Sequence, residues 1–205
     1  MVHFLTMGII LGLSAGFAPG PLLTLVVAET LRHGMKAGLR VALAPVFTDL
    51  PIIIGCLFLL TRLSFFREIM GVLSLAGALF VVVLGWKGVM SRGNGEEKVP
   101  AATASLTKGV LVNFLSPHPY LFWLTVGGPV VSRAMAVDRV APLAFVGGFY
   151  LLLIGSKVCL AALVSRSREF LQGKWYLWIL RLLGAVMICL AVLLFQEGIA
   201  MLRGG

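Results

Sequence analysis

The chain has 205 residues, 60% of them hydrophobic and only 12% charged, with a mean hydropathy of +1.03. A soluble domain averages about 25% charged residues, so the composition excludes an ordinary soluble enzyme and describes a polytopic membrane protein. The net charge of +9 does not indicate a nucleic-acid binder, because the basic residues lie between apolar runs, where they act as topology signals.

A helical span needs about 20 apolar residues, and six stretches qualify. The first runs roughly from Phe4 to Ala28. Only His3 precedes it as a leading basic group, and it is too long for a signal-peptide core, so it reads as a retained span. Inside it lies Ala18-Pro19-Gly20-Pro21. Each proline lacks an N–H and clashes with the preceding turn, so the helix must break there. Backbone freed within a bilayer survives only against protein or a water-filled cavity, and transporters place substrate sites at such breaks.

The second span covers roughly Val41 to Leu60 and the third roughly Ile69 to Met90. The fourth covers roughly Gly109 to Val131 and is interrupted at Ser116-Pro117-His118-Pro119. The fifth covers roughly Ala141 to Val164 and the sixth roughly Tyr176 to Leu202. The longest connection, Ser91 to Thr107, has a polar centre, Gly93-Asn94-Gly95-Glu96-Glu97-Lys98, and reads as a flexible linker. The expected fold is all-α: one transmembrane domain, residues 1–205, with six helices in two three-helix repeats at about 1–90 and 108–205. An odd number of spans per half inserts the second half upside down, as in many secondary transporters. Helices one and four are expected to be broken at Pro-x-Pro.

One set of connections carries Arg32, Lys36, Arg40, Lys87, Arg92, Lys98, Lys108, Arg166, Arg168 and Lys174. The other side carries Arg62, Arg67, Arg133, Arg139 and Arg203. The richer side is expected to be cytoplasmic, with both termini periplasmic. Trp86, Trp175, Tyr176 and Trp178 read as interfacial anchors. Cys56, Cys159 and Cys189 fall in apolar spans without a C-x-x-C pair, so they read as small core side chains and not as a disulfide, zinc site or thiol relay. Three stripes of small residues read as packing seams: Gly38, Ala42, Pro45, Asp49 and Cys56 in span two; Gly71, Ser74, Ala78, Gly85 and Gly88 in span three; Gly148, Gly155, Cys159 and Ala162 in span five.

Asp49 is the sharpest candidate. An acid at the centre of a bilayer costs at least ~3 kcal/mol on insertion scales and must be shielded, paired or protonated. It is either a structural acid tied to a neighbouring helix, or a group that couples protons or binds a substrate ammonium. Lys157 in span five either snorkels to the interface or pairs with Asp49 or a substrate carboxylate. The breaks at Pro19, Gly20 and Pro21 and at Pro117 and Pro119 expose helix starts that attract anions and helix ends that suit an ammonium, so a zwitterion matches their polarity. Asn113, Ser116 and His118 add polar groups at the second break, with Asn113 placed to bond backbone freed by the prolines. Glu29 and Glu197 read as interfacial. No phosphate loop, zinc-protease motif or nucleophile elbow is present, so neither a cofactor nor an enzymatic activity is expected.

Gly16-Phe17-Ala18-Pro19-Gly20-Pro21, followed by Gly34-x-x-x-Gly38, resembles the LysE/RhtB family of bacterial amino-acid exporters. So does the fourth-span pattern Gly109-x-x-x-Asn113-x-x-x-Pro117. The resemblance covers most of the chain, in length and span number as well as in these motifs. Two stretches depart from the family pattern: Ala44 to Pro51, where a Gly-rich second span is common, and His118-Pro119-Tyr120, where Lys or Ala often follows the motif. The resemblance implies an inner-membrane secondary exporter of amino acids or related small zwitterionic metabolites, driven by protons. Its partners would be a small-molecule substrate and the lipid bilayer, with a homo-oligomer left open. The alternatives are a cation or metal exporter and a thiol-disulfide membrane redox carrier. Asp49 alone is thin for a dication, which takes several ligands.

Overall fold

A proline is compatible with an α-helix only in its first turn, where the N–H has no intrahelical partner, and this rule sets both interruptions of the chain. The computed structural model describes residues 1–59, 63–91, 102–167 and 174–203; side chains at 55–59, 63–67, 102–103 and 174 lie outside the description as well. Among these residues it is all-helical. Helix α1 (Val2–Phe17) ends before Pro19, and α2 (Pro21–His33) starts on Pro21 after a bend of 63°. Helix α6 (Ala102–Phe114) ends before Ser116, and α7 (Pro117–Phe122) starts on Pro117. A residue before proline is pushed out of the helical region. Accordingly Ala18, Gly20 and Ser116 are extended, with ψ of 125°, 174° and 135°. Pro119 does not extend the second break: it sits in the first turn of α7, where its missing N–H costs nothing.

The other elements follow the apolar runs. Helices α3 (Met35–Ala42) and α4 (Ala44–Leu59) join at Leu43. Together they start earlier than the Val41 boundary expected for span two, and the stretch apolar enough to cross a membrane is Met35–Ile54. Helix α5 (Leu63–Val89) is span three. Past α7 comes a π-helical turn, Trp123–Gly127, and then α8 (Gly128–Val137). Pro129 near the start of α8 cannot donate to the Thr125 carbonyl and would clash with it in α register; the wider turn relieves that clash. The fourth span is therefore Pro117–Val137, shifted outward from the expected Gly109 to Val131. Helices α9 (Ala141–Ser167) and α10 (Lys174–Arg203) are spans five and six. Among the described residues five helices are long and apolar enough to cross a membrane, or six with the bent α1–α2 pair counted as one span. The expected linker lies mainly at 92–101, outside the described residues, and its last part is already helical in α6. Among the residues used for orientation, Arg62, Arg92, Lys98 and Arg168 also lie outside the description, and of Arg67 and Lys174 only the backbone is described.

The two most extensive packing pairs cross between the halves, α1 along α9 and α5 along α10; α3 and α4 also pack against α6, while α2 and α3 pack within the first half. The α1–α9 seam is built on Gly8, Gly12 and Gly16, all buried. A Cβ on Gly12 would lie 2.2 Å from the Phe149 carbonyl oxygen, so the backbones meet as they do where small residues recur in lipid. The α5–α10 seam places Gly85 against Gly184, where a Cβ would lie 2.8 Å from the Gly184 carbonyl oxygen.

The stripe expected on span five is corrected. Gly148 does face Leu5, but Gly155 has nothing within 4 Å and Cys159 is exposed. Because α1 supplies the glycines, α9 can present Phe145, Phe149 and Ser156 to it instead. Cys189 is exposed too. Both thiols face outward, where a weakly polar side chain is tolerated, and are not core residues as expected. The side chain of Cys56 lies outside the described residues.

Candidate functional site

A cavity of about 430 Å³ lies between the two breaks. Pro19, Gly20 and Pro21 line it from the first break, and Ser116, His118 and Pro119 from the second. Asp49 of α4, Asn113 of α6 and Lys157 of α9 complete its polar wall, and Trp123 and Phe149 supply aromatic surface. Pro117 is buried at the start of α7. His118 is exposed, as is Glu197 at the edge of the same cavity.

Asp49 is 3% exposed, and its carboxylate is enclosed by neutral donors. Oδ1 accepts from Asn113 Nδ2 at 3.0 Å and from Thr48 Oγ1 at 3.3 Å; Oδ2 accepts from the Tyr150 hydroxyl at 3.0 Å. Asn113 Nδ2 also donates to Thr48 Oγ1 at 2.6 Å. Asn113 therefore holds the acid and its neighbour, not the backbone freed by the prolines; that backbone has other partners. Thr48 and Tyr150 were not singled out in the sequence. The residue next to an intramembrane acid, and an aromatic hydroxyl seven positions before Lys157 on the same helix, are the signals that could have found them. The π turn, common at functional sites, carries Trp123 to the same place.

The freed carbonyls are capped by side chains. Lys157 Nζ donates to Gly16 O at 3.1 Å and Ala15 O at 3.4 Å, at the end of α1. Lys157 is 3% exposed, so it faces the bundle and does not snorkel. It makes no ion pair with Asp49 within 4 Å. At the second break the Tyr120 hydroxyl donates to Phe114 O at 2.9 Å, and Ser116 Oγ to Val112 O at 2.7 Å.

A family model described as LysE type translocator matches residues 13–198. The chain belongs to that family. It is a multi-pass membrane protein of a transporter family. No curated protein and no solved structure matches it. The matched stretch of this LysE-type translocator takes in both breaks, Asp49 and Lys157.

Glu29 is not interfacial in the translocator. It is 2% exposed and bonds across to the other half: Lys108 Nζ lies 2.7 Å from Oε1, and Ser105 Oγ donates to Oε2 at 2.7 Å. On the same side Arg32 donates to Lys87 O and the Tyr176 hydroxyl to Leu31 O. Trp86, Trp175 and Trp178 are exposed. Among the described residues no three His, Cys, Asp or Glu side chains group closely enough to hold a metal ion.

Proposed function

We propose that this translocator exports amino acids or related small zwitterionic metabolites across the bacterial inner membrane in exchange for protons, with both termini on the periplasmic side. The observation that carries the reading is the composition of the cavity wall: two interrupted helices, the buried Asp49 carboxylate and the buried Lys157 ammonium around about 430 Å³, with exposed Glu197 at the edge. Opposite charges in one wall suit a ligand carrying both signs, because each charge of a zwitterion that leaves water can then be set against its opposite. The cavity lies among helices that pair across the two halves, which is where inverted-repeat carriers bind their substrates. Asp49 is the coupling group: its donors are neutral, so gaining or losing a proton changes the charge of the site by a full unit. The family supports export; the amino-acid class rests on the wall chemistry.

The test is efflux from proteoliposomes loaded with a mixture of the twenty amino acids under an imposed proton gradient. The wild type is expected to drive efflux that collapses with the gradient. Asp49→Asn, which keeps the size and some of the hydrogen bonding, is expected to abolish the gradient-driven part and to leave downhill exchange. Proton-driven efflux that persists unchanged in Asp49→Asn overturns the coupling role.

A further inference from the structure

Lys157 is a buried cation that the proton-coupling reading leaves unused. An ammonium has three donors, and Lys157 has two acceptors, the neutral carbonyls of Gly16 and Ala15. The end of a helix supplies about half a negative charge, against a full positive one on the lysine. Among the described residues no carboxylate lies within 4 Å of it. Asp49 attracts it from farther off, and Asp49 already accepts from Asn113, Thr48 and Tyr150. A buried charge without a counter-ion is costly. The contrast with Glu29 is direct: that buried acid has its cation at 2.7 Å and a hydroxyl at 2.7 Å. Among the described residues the buried charged groups without an opposite charge in contact are Asp49 and Lys157, both in the cavity wall, and Lys157 is the one with a donor left over.

The geometry points to Lys157 as the carboxylate-binding residue of the cavity, offering its remaining N–H to a small carboxylate while it keeps its hold on the end of α1. The ammonium of a zwitterion is thereby left to Asp49. The ligand's identity as an amino acid rests on the exporter reading above; the binding of a carboxylate at Lys157 does not.

The experiment is a cycle in which protein and ligand each lose one partner. Binding to the full chain in nanodiscs is measured for the twenty L-amino acids, for the decarboxylated amine of each that binds, and for butyrate as a plain carboxylate. The proteins are wild type, Lys157→Met and Lys157→Gln; glutamine removes the charge but can still donate to the α1 carbonyls. Wild type is expected to prefer an amino acid over its amine by about tenfold or more, the scale of a hydrogen bond to a charged group. Both variants are expected to bring that preference close to one. A variant that weakens amino acid and amine by the same factor assigns Lys157 a structural role and overturns the inference. If no amino acid binds while butyrate binds to wild type and to neither variant, the amino-acid reading fails and the lysine assignment stands. If neither amino acids nor butyrate bind to wild type, the assignment fails.

Discussion

At the first break the carbonyls of Ala15 and Gly16 depend on Lys157, 141 positions from Gly16 along the chain; at the second, the carbonyl of Phe114 is closed by Tyr120, six positions on. Two stretches with the same Pro-x-Pro pattern thus settle their loose ends by different means. The second break is satisfied from within its own segment, by neutral hydroxyls. The first is a tertiary joint held by a cation on another helix. Their helix starts differ as well. Pro117 and Pro119 together remove two donors from the first turn of α7, whereas α2 loses only that of Pro21 and keeps the N–H groups of Leu22 and Leu23, with no side chain capping them. The first break has the more open polarity, and the second is closed.

The first break is lost most completely if α1 is lifted off α9, because Lys157 then no longer reaches the end of α1. Gly12→Leu does this: its Cβ alone would lie 2.2 Å from the backbone oxygen of Phe149, and backbone cannot swing aside. The expected cost is about 3 kcal/mol or more, read as loss of monodisperse protein on size exclusion in detergent. Gly147→Leu on α9, with nothing within 4 Å of its Cβ, is expected to purify normally.

Glu29 joins the two breaks, since it follows the first on α2 and its partner Lys108 precedes the second on α6. Glu29→Gln leaves a partly buried lysine uncompensated. Complete burial of such a pair gives 3–5 kcal/mol as a rough scale for losing one partner; the Lys108 side chain is 29% exposed, which lowers the expectation to about 2 kcal/mol. The melting temperature should fall by roughly 4–8 °C. Adding Lys108→Met is expected to recover part of that drop, as removing both partners of a buried pair often does. A double variant no more stable than Glu29→Gln would mean that the pair does not hold α2 to α6.

Tyr120→Phe tests whether the second break is self-contained. It removes one hydrogen bond to Phe114 O and keeps the ring in its edge contact with Phe114. The expected loss is about 1 kcal/mol, a melting shift of a few degrees, with efflux unchanged. A defect in efflux at unchanged stability would show that the second break, too, moves during transport.

The interruptions and the spans were legible in the sequence because their causes are local: a proline without an N–H, and an apolar run of sufficient length. Asp49 stood out for the same reason, as one acid among apolar neighbours. What the sequence did not disclose depended on partners far along the chain. Gly8, Gly12 and Gly16 recur every fourth residue, yet only the neighbour decides which stripe is a seam, and the stripe expected on span five meets α1 at Gly148 but turns outward at Gly155 and Cys159. Glu29 and Lys108, 79 positions apart, look like two interfacial charges until the helices meet. Lys157 sits at a depth where snorkelling and burial are both open to it; the glycine-lined approach of α1, which carries two carbonyls to its ammonium, decides for burial. The π turn at Trp123 needed Pro129 and the packing of α8 on α9 together.

The smallest expected effect is at Gly20, and it bears on whether the first break moves. A glycine between two prolines invites the explanation that only glycine fits. In this conformation that explanation fails: Gly20 has φ −166° and ψ 174°, extended backbone that any residue adopts, and an added Cβ would meet nothing within 4 Å. Gly20→Ala should therefore fold as well as wild type, or gain up to about 0.5–1 kcal/mol by narrowing the unfolded ensemble, seen as a melting temperature equal or slightly higher. Efflux then separates two accounts of the first break. If alanine also leaves efflux unchanged, the joint keeps one backbone geometry throughout the cycle and Lys157 holds α1 in every state. If efflux slows while the melting temperature holds, glycine is needed in a conformation other than this one, as expected of a hinge that absorbs a backbone change.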